Sequence, residues 1–74
     1  MEIYRVTVER TFSDEVLQSH FFATEQAALG YAEMLKDEIE QDFDGSMTDI
    51  IVAAYTPDDG GEFFFDHEIK TYEL

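Results

Sequence analysis

The chain has 74 residues, and its 18 Asp and Glu against 4 Lys and Arg give a formal net charge of −14 at pH 7. A chain this short has room for one domain, over residues 1–74, with one modest core, which excludes a two-domain enzyme. High net charge is typical of disorder, but 45% hydrophobic and 15% aromatic residues favour a packed fold.

The residues that are missing exclude further classes of protein. Without Cys there is no disulfide framework, no Cys-ligated zinc and no thiol nucleophile. No stretch approaches the roughly 18 apolar residues of a membrane span, and no basic region followed by an apolar run opens the chain. We therefore expect a soluble, cytoplasmic protein. Its charge repels anionic lipid and nucleic acid, so we expect neither a membrane nor a nucleic acid as direct ligand.

The first part of the chain predicts a β-hairpin. Residues 2–10 alternate in character, with Tyr4, Val6 and Val8 on one face, which is the period of a half-buried strand. Residues 16–23 follow a turn and are typical of a returning strand. The pattern leaves open which face of this second strand is buried.

The middle of the chain predicts a helix over residues 25–44. Thr24 is a suitable N-cap, and Gly45 suits the left-handed position after the helix end. Gly30 weakens the helix by up to about 1 kcal/mol relative to Ala, which predicts close packing on the sheet at this position. One apolar stripe recurs at helical spacing: Ala28, Tyr31, Ala32, Leu35, Ile39 and Phe43.

The last part predicts a second hairpin and completes the fold class. Residues 48–55 are rich in β-branched side chains, a Thr-Pro-Asp-Asp-Gly-Gly turn follows, and residues 62–72 alternate as a last strand. The order ββαββ predicts an α+β fold, a four-stranded antiparallel sheet with one helix packed on one face, with the strand order left open. The alternation places four residues toward the helix: Phe63, Phe65, His67 and Ile69.

The other sheet face then stays open. Ile3, Phe64 and Tyr72 are expected on it, together with one alternate set of the second strand. Such residues serve as scattered surface residues, as dimer packing or as a hydrophobic anchor within an interface. The protein is accordingly expected as a monomer or a homodimer.

No arrangement of residues predicts catalysis. His20 and His67 are expected as strand histidines, His67 as a hydrogen-bonded core or border residue, and neither forms a recognisable constellation with a nucleophile. Residues 40–45 imitate the start of a calcium loop, but Ile51 occupies the twelfth position, where a bidentate Glu is needed. We therefore expect no enzyme, no metal and no cofactor.

A row of acids on the predicted helix is the strongest signal. Glu33, Asp37, Glu40 and Asp44 step by 4, 3 and 4 residues, which places them on one face at rises of about 6, 4.5 and 6 Å. Like charges at this spacing repel, and only Lys36 is near enough in sequence to relieve the repulsion. A fold that tolerates this cost suggests a function for the charge.

One function is mimicry of nucleic-acid phosphates. Duplex DNA carries one charge per roughly 3.4 Å along each strand, so a helical row at about 5.5 Å needs a second row beside it. Residues 37–68 hold eleven acids and no Lys or Arg, and can supply that row from the helix flank and the last hairpin. The predicted partner-binding residues are Glu33, Asp37, Glu38, Glu40, Asp42, Asp44, Asp58, Asp59, Glu62, Asp66 and Glu68.

With this row and the Asp58-Asp59-Gly-Gly-Glu62 hairpin, the chain resembles the very small, acidic anti-CRISPR proteins of phages and mobile elements that act as DNA mimics. The resemblance covers size, charge and a compact α/β pattern over the whole chain and contains no shared motif. It implies a protein that binds stoichiometrically to a CRISPR effector subunit, at the basic surface that reads the motif adjacent to the target or holds the duplex.

Three other interpretations stay open. An acidic immunity protein or antitoxin that plugs a basic nuclease or toxin uses the same electrostatics on a different target. A general acidic interaction module also fits the composition, and acidic surfaces can serve solubility alone.

Overall fold

Four antiparallel strands and one helix form the fold in the computed structural model, which describes residues 2–13, 15–41 and 47–74. Strands β1 (Ile3–Arg10) and β2 (Val16–Phe22) form the first hairpin, and β3 (Thr48–Pro57) and β4 (Phe63–Glu73) form the second. Helix α1 (Glu25–Glu40) connects them and packs on one face of the sheet. The predicted ββαββ α+β fold is confirmed.

The strand order, which the sequence left open, is β2-β1-β3-β4. The two central strands, β1 and β3, come from different hairpins and pair antiparallel, with Val6 opposite Val52 and Val8 opposite Ile50. Strands β2 and β4 are therefore the sheet edges. The β3–β4 pairing continues to Pro57 opposite Phe63, beyond the end of β1 at Ile3, so the second hairpin projects past the rest of the sheet.

The core lies between the sheet and the helix. Small residues of α1 bring the helix close to the β-branched residues of β1 and β3, and Leu35 fills the remaining space. This confirms the predicted faces of β1 and α1. The buried residues of the core are Val6, Val8, Ala28, Ala32, Leu35, Ile50, Val52 and Tyr72.

The helix begins where the sequence predicted and ends earlier. The Thr24 hydroxyl accepts a hydrogen bond from the Ala27 backbone N–H at 3.2 Å, which is the predicted N-cap. Glu40 is the last helical residue, and Gln41 is the C-cap, so the predicted end at Asp44 is wrong. The last turn contains acids and no basic residue, and negative charge is unfavourable at the negative end of the helix dipole.

Other predictions for this segment lie outside the described residues or are corrected. The packing of Phe43 and the position of Gly45 lie outside the described residues. Gly30 is exposed, and a Cβ added there would meet no heavy atom within 4 Å. The expectation that Gly30 marks a close approach to the sheet is therefore wrong.

Two bulges in β4 interrupt its alternation. Ala54 pairs with His67 while its neighbour Tyr55 pairs with Phe65, so Asp66 is an extra residue in the strand. A second irregularity lies opposite Val52 and Ala53, and makes Ile69 an extra residue. Each bulge shifts the side-chain alternation by one position, which a strict period of two cannot anticipate.

The bulges correct two of the four predicted faces of β4. Ile69 packs against the core as predicted, but Phe65 and Phe63 pair with Tyr55 and Pro57 on the face away from the helix. The prediction that these two Phe residues face the helix is wrong. His67 pairs with Ala54 on the helix side as predicted, and with 57% of its side chain exposed it is a hydrogen-bonded border residue and not a core one.

Two of the three residues predicted on the open face lie on the helix side instead. Tyr72 lies opposite Ile50 and is buried in the core, not on the open face. Phe64 pairs with Thr56 on the helix side of the projecting hairpin. Ile3, opposite Tyr55, does lie on the open face as predicted.

The end of strand β2 places apolar side chains on both faces of the sheet. Phe22 packs against the core, and His20 contacts Tyr31 of α1, so these two residues face the helix. Phe21 lies on the opposite, open face, across from Arg5. The molecule measures 42 × 25 × 15 Å, and within the described ranges no helix has both the length and the apolar character that a membrane crossing requires.

Candidate functional site: acidic arrays and an aromatic patch

The helix row is exposed as predicted. Glu33, Asp37 and Glu40 all lie on the solvent-facing side of α1, and Glu38 beside them is exposed as well. Lys36 forms an ion pair with Glu40 at 3.5 Å, the i,i+4 contact that the sequence indicated. Asp44, the last member of the predicted row, and Asp42, which was predicted to flank it, lie outside the described residues.

A second cation lies near this row. Lys70 of β4 lines a groove with Glu33, Lys36 and Asp37, and its Nζ lies 4.8 Å from the ring centroid of Tyr72. The sequence indicated that Lys36 alone relieves the repulsion between the acids of the row, since Lys70 is distant along the chain. The row therefore has a second cation nearby that the sequence analysis did not place there.

The acids of the hairpin tip have unequal roles. The Asp58 carboxylate accepts the backbone N–H groups of Gly60 at 2.9 Å and Glu62 at 2.7 Å, which closes the turn. Asp59 and the Glu62 side chain are exposed at the tip. The tip thus contains one structural carboxylate and two that point to solvent without a hydrogen bond in the described part of the chain.

The tip and the helix row lie at opposite ends of the molecule. The row is beside Tyr72, which pairs with Ile50, and Pro57 at the tip lies seven residues further along β3 than Ile50. Seven strand residues span about 23 Å. The helix row and the hairpin tip therefore do not form the two adjacent rows that the sequence suggested.

Asp66 belongs to a small cluster with Glu2 and His67. The ring Nδ1 of His67 lies 2.9 Å from Asp66 Oδ2. A hydrogen bond with Asp66 raises the pKa of the Glu2 carboxyl above its ordinary value of 4.5, and hydrogen bonds with Glu2 and His67 lower the pKa of Asp66 below 3.8. Glu2 is therefore protonated before Asp66 as the pH falls.

Among the described residues, this cluster can offer three metal ligands, one from each side chain. The three donor atoms lie within 4.8 Å of one another. A structural zinc site uses four ligands, and Asp66 and His67 are exposed. The ligand set is therefore incomplete for zinc on this chain alone. The last predicted residue, Glu68, accepts a hydrogen bond from the Thr71 hydroxyl at 2.7 Å at the β4 edge.

A ladder of acids that sequence reasoning missed crosses the open sheet face. Glu9 of β1 pairs with Asp49 of β3, which pairs in turn with Glu73 of β4. Their sequence neighbours Val8, Ile50 and Tyr72 are buried under the helix, so the three acids point to the open face. Adjacent strands are about 4.8 Å apart, so this carboxylate ladder is more closely spaced than the helix row. Finding it requires the strand order.

Few cations neutralise these arrays. Within residues 2–13, 15–41 and 47–74, the ion pairs between Lys or Arg and a carboxylate are Arg10 with Glu15 at 3.1 Å and Lys36 with Glu40 at 3.5 Å. Thr11 donates a hydroxyl hydrogen bond to Asp49 at 3.4 Å. The carboxylate ladder therefore keeps its negative charge toward solvent.

The open face also carries an aromatic patch, which we define as Arg5, Phe21, Tyr55, Phe63 and Phe65. The Phe21 ring centroid is 5.4 Å from that of Phe63, and the Tyr55 centroid is 5.9 Å from that of Phe65. The Arg5 guanidinium carbon lies 5.8 Å from the Phe21 centroid and 5.7 Å from the Tyr55 centroid. The sequence predicted an open apolar face but assigned Phe64 to it in place of Phe65.

Hydrogen bonds hold Arg5 within this patch. Its Nε donates to the Ser19 hydroxyl at 2.8 Å, and its Nη1 donates to the Tyr55 hydroxyl at 3.2 Å. The open face thus has the carboxylate ladder at one end and the aromatic patch toward the projecting hairpin. Comparison of the chain with protein-family models, curated proteins and solved structures gives no match.

Proposed function

We propose that this protein is a non-enzymatic inhibitor that acts in the bacterial cytoplasm. It occupies the basic DNA-binding surface of a CRISPR effector as an acidic DNA mimic and so blocks binding of target DNA. Its partner is a Lys- and Arg-rich protein surface that normally holds phosphates.

The observation that carries the proposal is the linear charge density. A net charge of −14 along a 42 Å molecule is one charge per 3 Å, since 42 divided by 14 is 3. A nucleic-acid strand carries one charge per roughly 3.4 Å. Averaged along the molecule, the protein carries a charge per unit length similar to that of one nucleic-acid strand, distributed over the helix row, the carboxylate ladder and the hairpin tip.

The arrangement of the charges supports the same proposal. The carboxylate ladder is fixed by three paired strands, and the helix row is fixed by α1, so both are ordered before binding. Ordered charges lose little conformational entropy on association and accelerate encounter with a basic surface. Like charges directly opposite each other in a sheet are destabilising, so the ladder lowers the stability of the fold.

One observation favours the second candidate, an immunity protein or antitoxin that plugs a basic nuclease or toxin. The aromatic patch has no counterpart on the phosphate backbone of DNA. A dedicated toxin can evolve a matching apolar surface, whereas a DNA-binding groove is shaped for its nucleic acid.

The first experiment identifies the partner. The tagged protein is incubated with bacterial lysates that contain CRISPR effectors, and bound proteins are identified by mass spectrometry. The proposal expects an effector subunit, and a nuclease toxin as the specific partner would support the second candidate instead.

The second experiment tests the mechanism with the captured effector. Binding of target DNA is measured by mobility shift with increasing inhibitor. We expect Glu9→Gln with Glu73→Gln to weaken inhibition at least tenfold, because both substitutions remove charge from the ladder at constant shape. The matched control, Glu15→Gln with Glu25→Gln, removes the same charge elsewhere and is expected to inhibit nearly as well as the natural protein. Equal inhibition by both double variants, or unchanged DNA binding at saturating protein, contradicts the proposal.

A further inference from the structure

The aromatic patch is an unusual surface for so acidic a protein. Phe21, Phe63 and Phe65 expose 47%, 44% and 61% of their surface. The neighbouring positions on the same face are the uncharged Ile3, Ser19, Ala53 and Pro57, and one acid, Glu68, which pairs with Ala53 at the β4 edge. The single charged member of the patch is a cation, Arg5. An exposed apolar cluster of this kind marks an interaction surface.

The patch is also ordered before any partner arrives. The rings contact one another at 5.4 to 6.3 Å between centroids, and Arg5 connects β2 with β3 by hydrogen bonds to Ser19 and Tyr55. Rigid aromatic groups lose little side-chain freedom on binding. Contact with the patch therefore requires little rearrangement of this protein.

Acids border the patch at both ends of the open face. Asp59 and the Glu62 side chain lie at the hairpin tip next to Pro57 and Phe63. The carboxylate ladder closes the opposite end, six residues along β3 from Tyr55, which is about 20 Å. The open face thus has an apolar centre and an acidic border.

This border disfavours a second copy of the chain as the occupant. If two copies stack their open faces in the same direction, tip meets tip and ladder meets ladder. If they stack in opposite directions, the tip acids of each copy meet the ladder of the other. Both stackings place carboxylates against carboxylates, which opposes association.

We propose that the aromatic patch binds an apolar side chain carried by a Lys- and Arg-rich segment of the partner protein. The partner's cations lie against the acids at the two ends, and its apolar side chain is buried among Phe21, Phe63 and Phe65. This inference rests on the proposed function in one respect, the basic character of the partner. It adds an anchor that DNA mimicry does not require.

The test uses two capped peptides as probes. Both are lysine-rich, one with a central Leu-Trp pair and the other with Ala-Ala in its place. Affinity is measured by isothermal titration at constant salt, and the contact is located by chemical shifts of backbone amides. We expect the Leu-Trp peptide to bind about tenfold more tightly, which corresponds to burial of one large apolar side chain. Its shifts are expected in β2, β3 and β4 around the patch.

A matched pair of variants makes the test specific. Phe65 and Phe64 are neighbours in β4 with 61% and 56% exposure, but they point to opposite faces. Phe65→Ala is expected to abolish the preference for the Leu-Trp peptide and to leave affinity for the Ala-Ala peptide unchanged. Phe64→Ala is expected to preserve the preference. Because both rings are largely exposed, neither substitution empties the core.

The outcomes separate this inference from the proposed function. Equal binding of both peptides, or a preference that survives Phe65→Ala, overturns the patch proposal while electrostatic binding stands. Binding of neither peptide overturns the basic partner as well. Sedimentation that shows a dimer dissociated by Phe65→Ala would make a second copy the occupant and overturn the proposal.

Discussion

The Asp58 carboxylate and the Glu62 backbone N–H are joined by a hydrogen bond of 2.7 Å that closes the hairpin tip. The same oxygen, Oδ1, accepts the Gly60 N–H, and the Asp58 N–H donates to the Glu62 carbonyl at 2.8 Å. Asp58 is therefore part of the turn itself, whereas the adjacent Asp59 is an exposed charge. The sequence alone treats these two acids as equivalent.

This difference predicts opposite effects on stability. Asp58→Ala is expected to destabilise the protein by about 1 kcal/mol, because two backbone donors lose a charged acceptor. Asp59→Ala removes only a repulsive charge and is expected to be neutral or slightly stabilising. Urea unfolding followed by circular dichroism measures both. Equal loss of stability in the two variants would show that the Asp58 hydrogen bonds do not hold the turn.

Charge reversal at Asp58 and Asp59 together therefore tests the turn and the charge at once. Replacing Asp58 and Asp59 together by Lys disturbs the turn as well as the charge, so weakened partner binding would not identify its cause. Replacing Asp59 and Glu62 side chains alone keeps the Asp58 hydrogen bonds and isolates the charge.

Two glycines are expected to respond in opposite directions to the same substitution. Gly30→Ala adds a methyl group into open space in the middle of α1, and we expect a gain of up to about 1 kcal/mol in the free energy of unfolding. Gly61 has a φ of +86° in the hairpin turn, so Gly61→Ala is expected to cost about 1 kcal/mol. Thermal unfolding of both variants checks the signs, and a destabilised Gly30→Ala would indicate a close neighbour at that helix position.

The third prediction concerns the buried hydroxyl of Tyr72. Tyr72 exposes 8% of its surface, and its hydroxyl has no hydrogen-bond partner in the described part of the chain. Tyr72→Phe removes an unsatisfied polar atom and keeps the ring, so stability is expected to rise by roughly 1 kcal/mol. Tyr72→Ala leaves a cavity beside Ile50 and is expected to cost about 3 kcal/mol or more. Destabilisation by Tyr72→Phe in urea unfolding would contradict this account.

The sequence predicted the parts of the fold that depend on local periodicity. The strand of Val6 and Val8, the cap at Thr24 and the stripe around Leu35 each follow from spacing along one segment. The faces of β4 do not follow from spacing along the strand. The bulges at Asp66 and Ile69 change the alternation, and they arise from pairing with β3. Local pattern therefore located each element but not the direction of its side chains.

The candidate site was less predictable for the same reason. The carboxylate ladder joins Glu9, Asp49 and Glu73, which only the strand order brings together. The helix row was visible because it lies on one continuous element. Conversely, the tip acids seemed contiguous with that row when counted along the chain, although about 23 Å of β3 separates them.

The raised pKa of Glu2 and the lowered pKa of Asp66 predict a pH-dependent difference between variants. Because the folded pKa of Glu2 is raised, its contribution to stability is fully present below pH 4.5 and is lost as the pH rises through the folded value. Asp66 acts in the opposite sense. Because its folded pKa is lowered, its contribution to stability is present above pH 3.8 and is lost as the pH falls through the folded value.

Glu2→Gln imitates the protonated form of Glu2 at every pH. We expect it to be more stable than the natural protein at pH 7 and equal to it below pH 4.5. Glu38→Gln, which removes one exposed helix charge, is the control for general repulsion. Urea unfolding across the pH range gives the two difference curves. A Glu2→Gln curve that follows the control would show that contact with Asp66 does not perturb Glu2.

The repulsion within the carboxylate ladder predicts that salt stabilises the isolated protein. The Debye length falls from about 30 Å at 0.01 M salt to about 3 Å at 1 M, which is shorter than the spacing of about 4.8 Å between strands. We expect the free energy of unfolding to rise by about 1 kcal/mol or more over this range. Glu9→Gln with Glu73→Gln removes the opposed charges around Asp49 and is expected to reduce that rise. The control is Glu15→Gln with Glu25→Gln, which leaves the ladder intact, and an equal salt response in both double variants would assign the repulsion to the overall charge and not to the ladder.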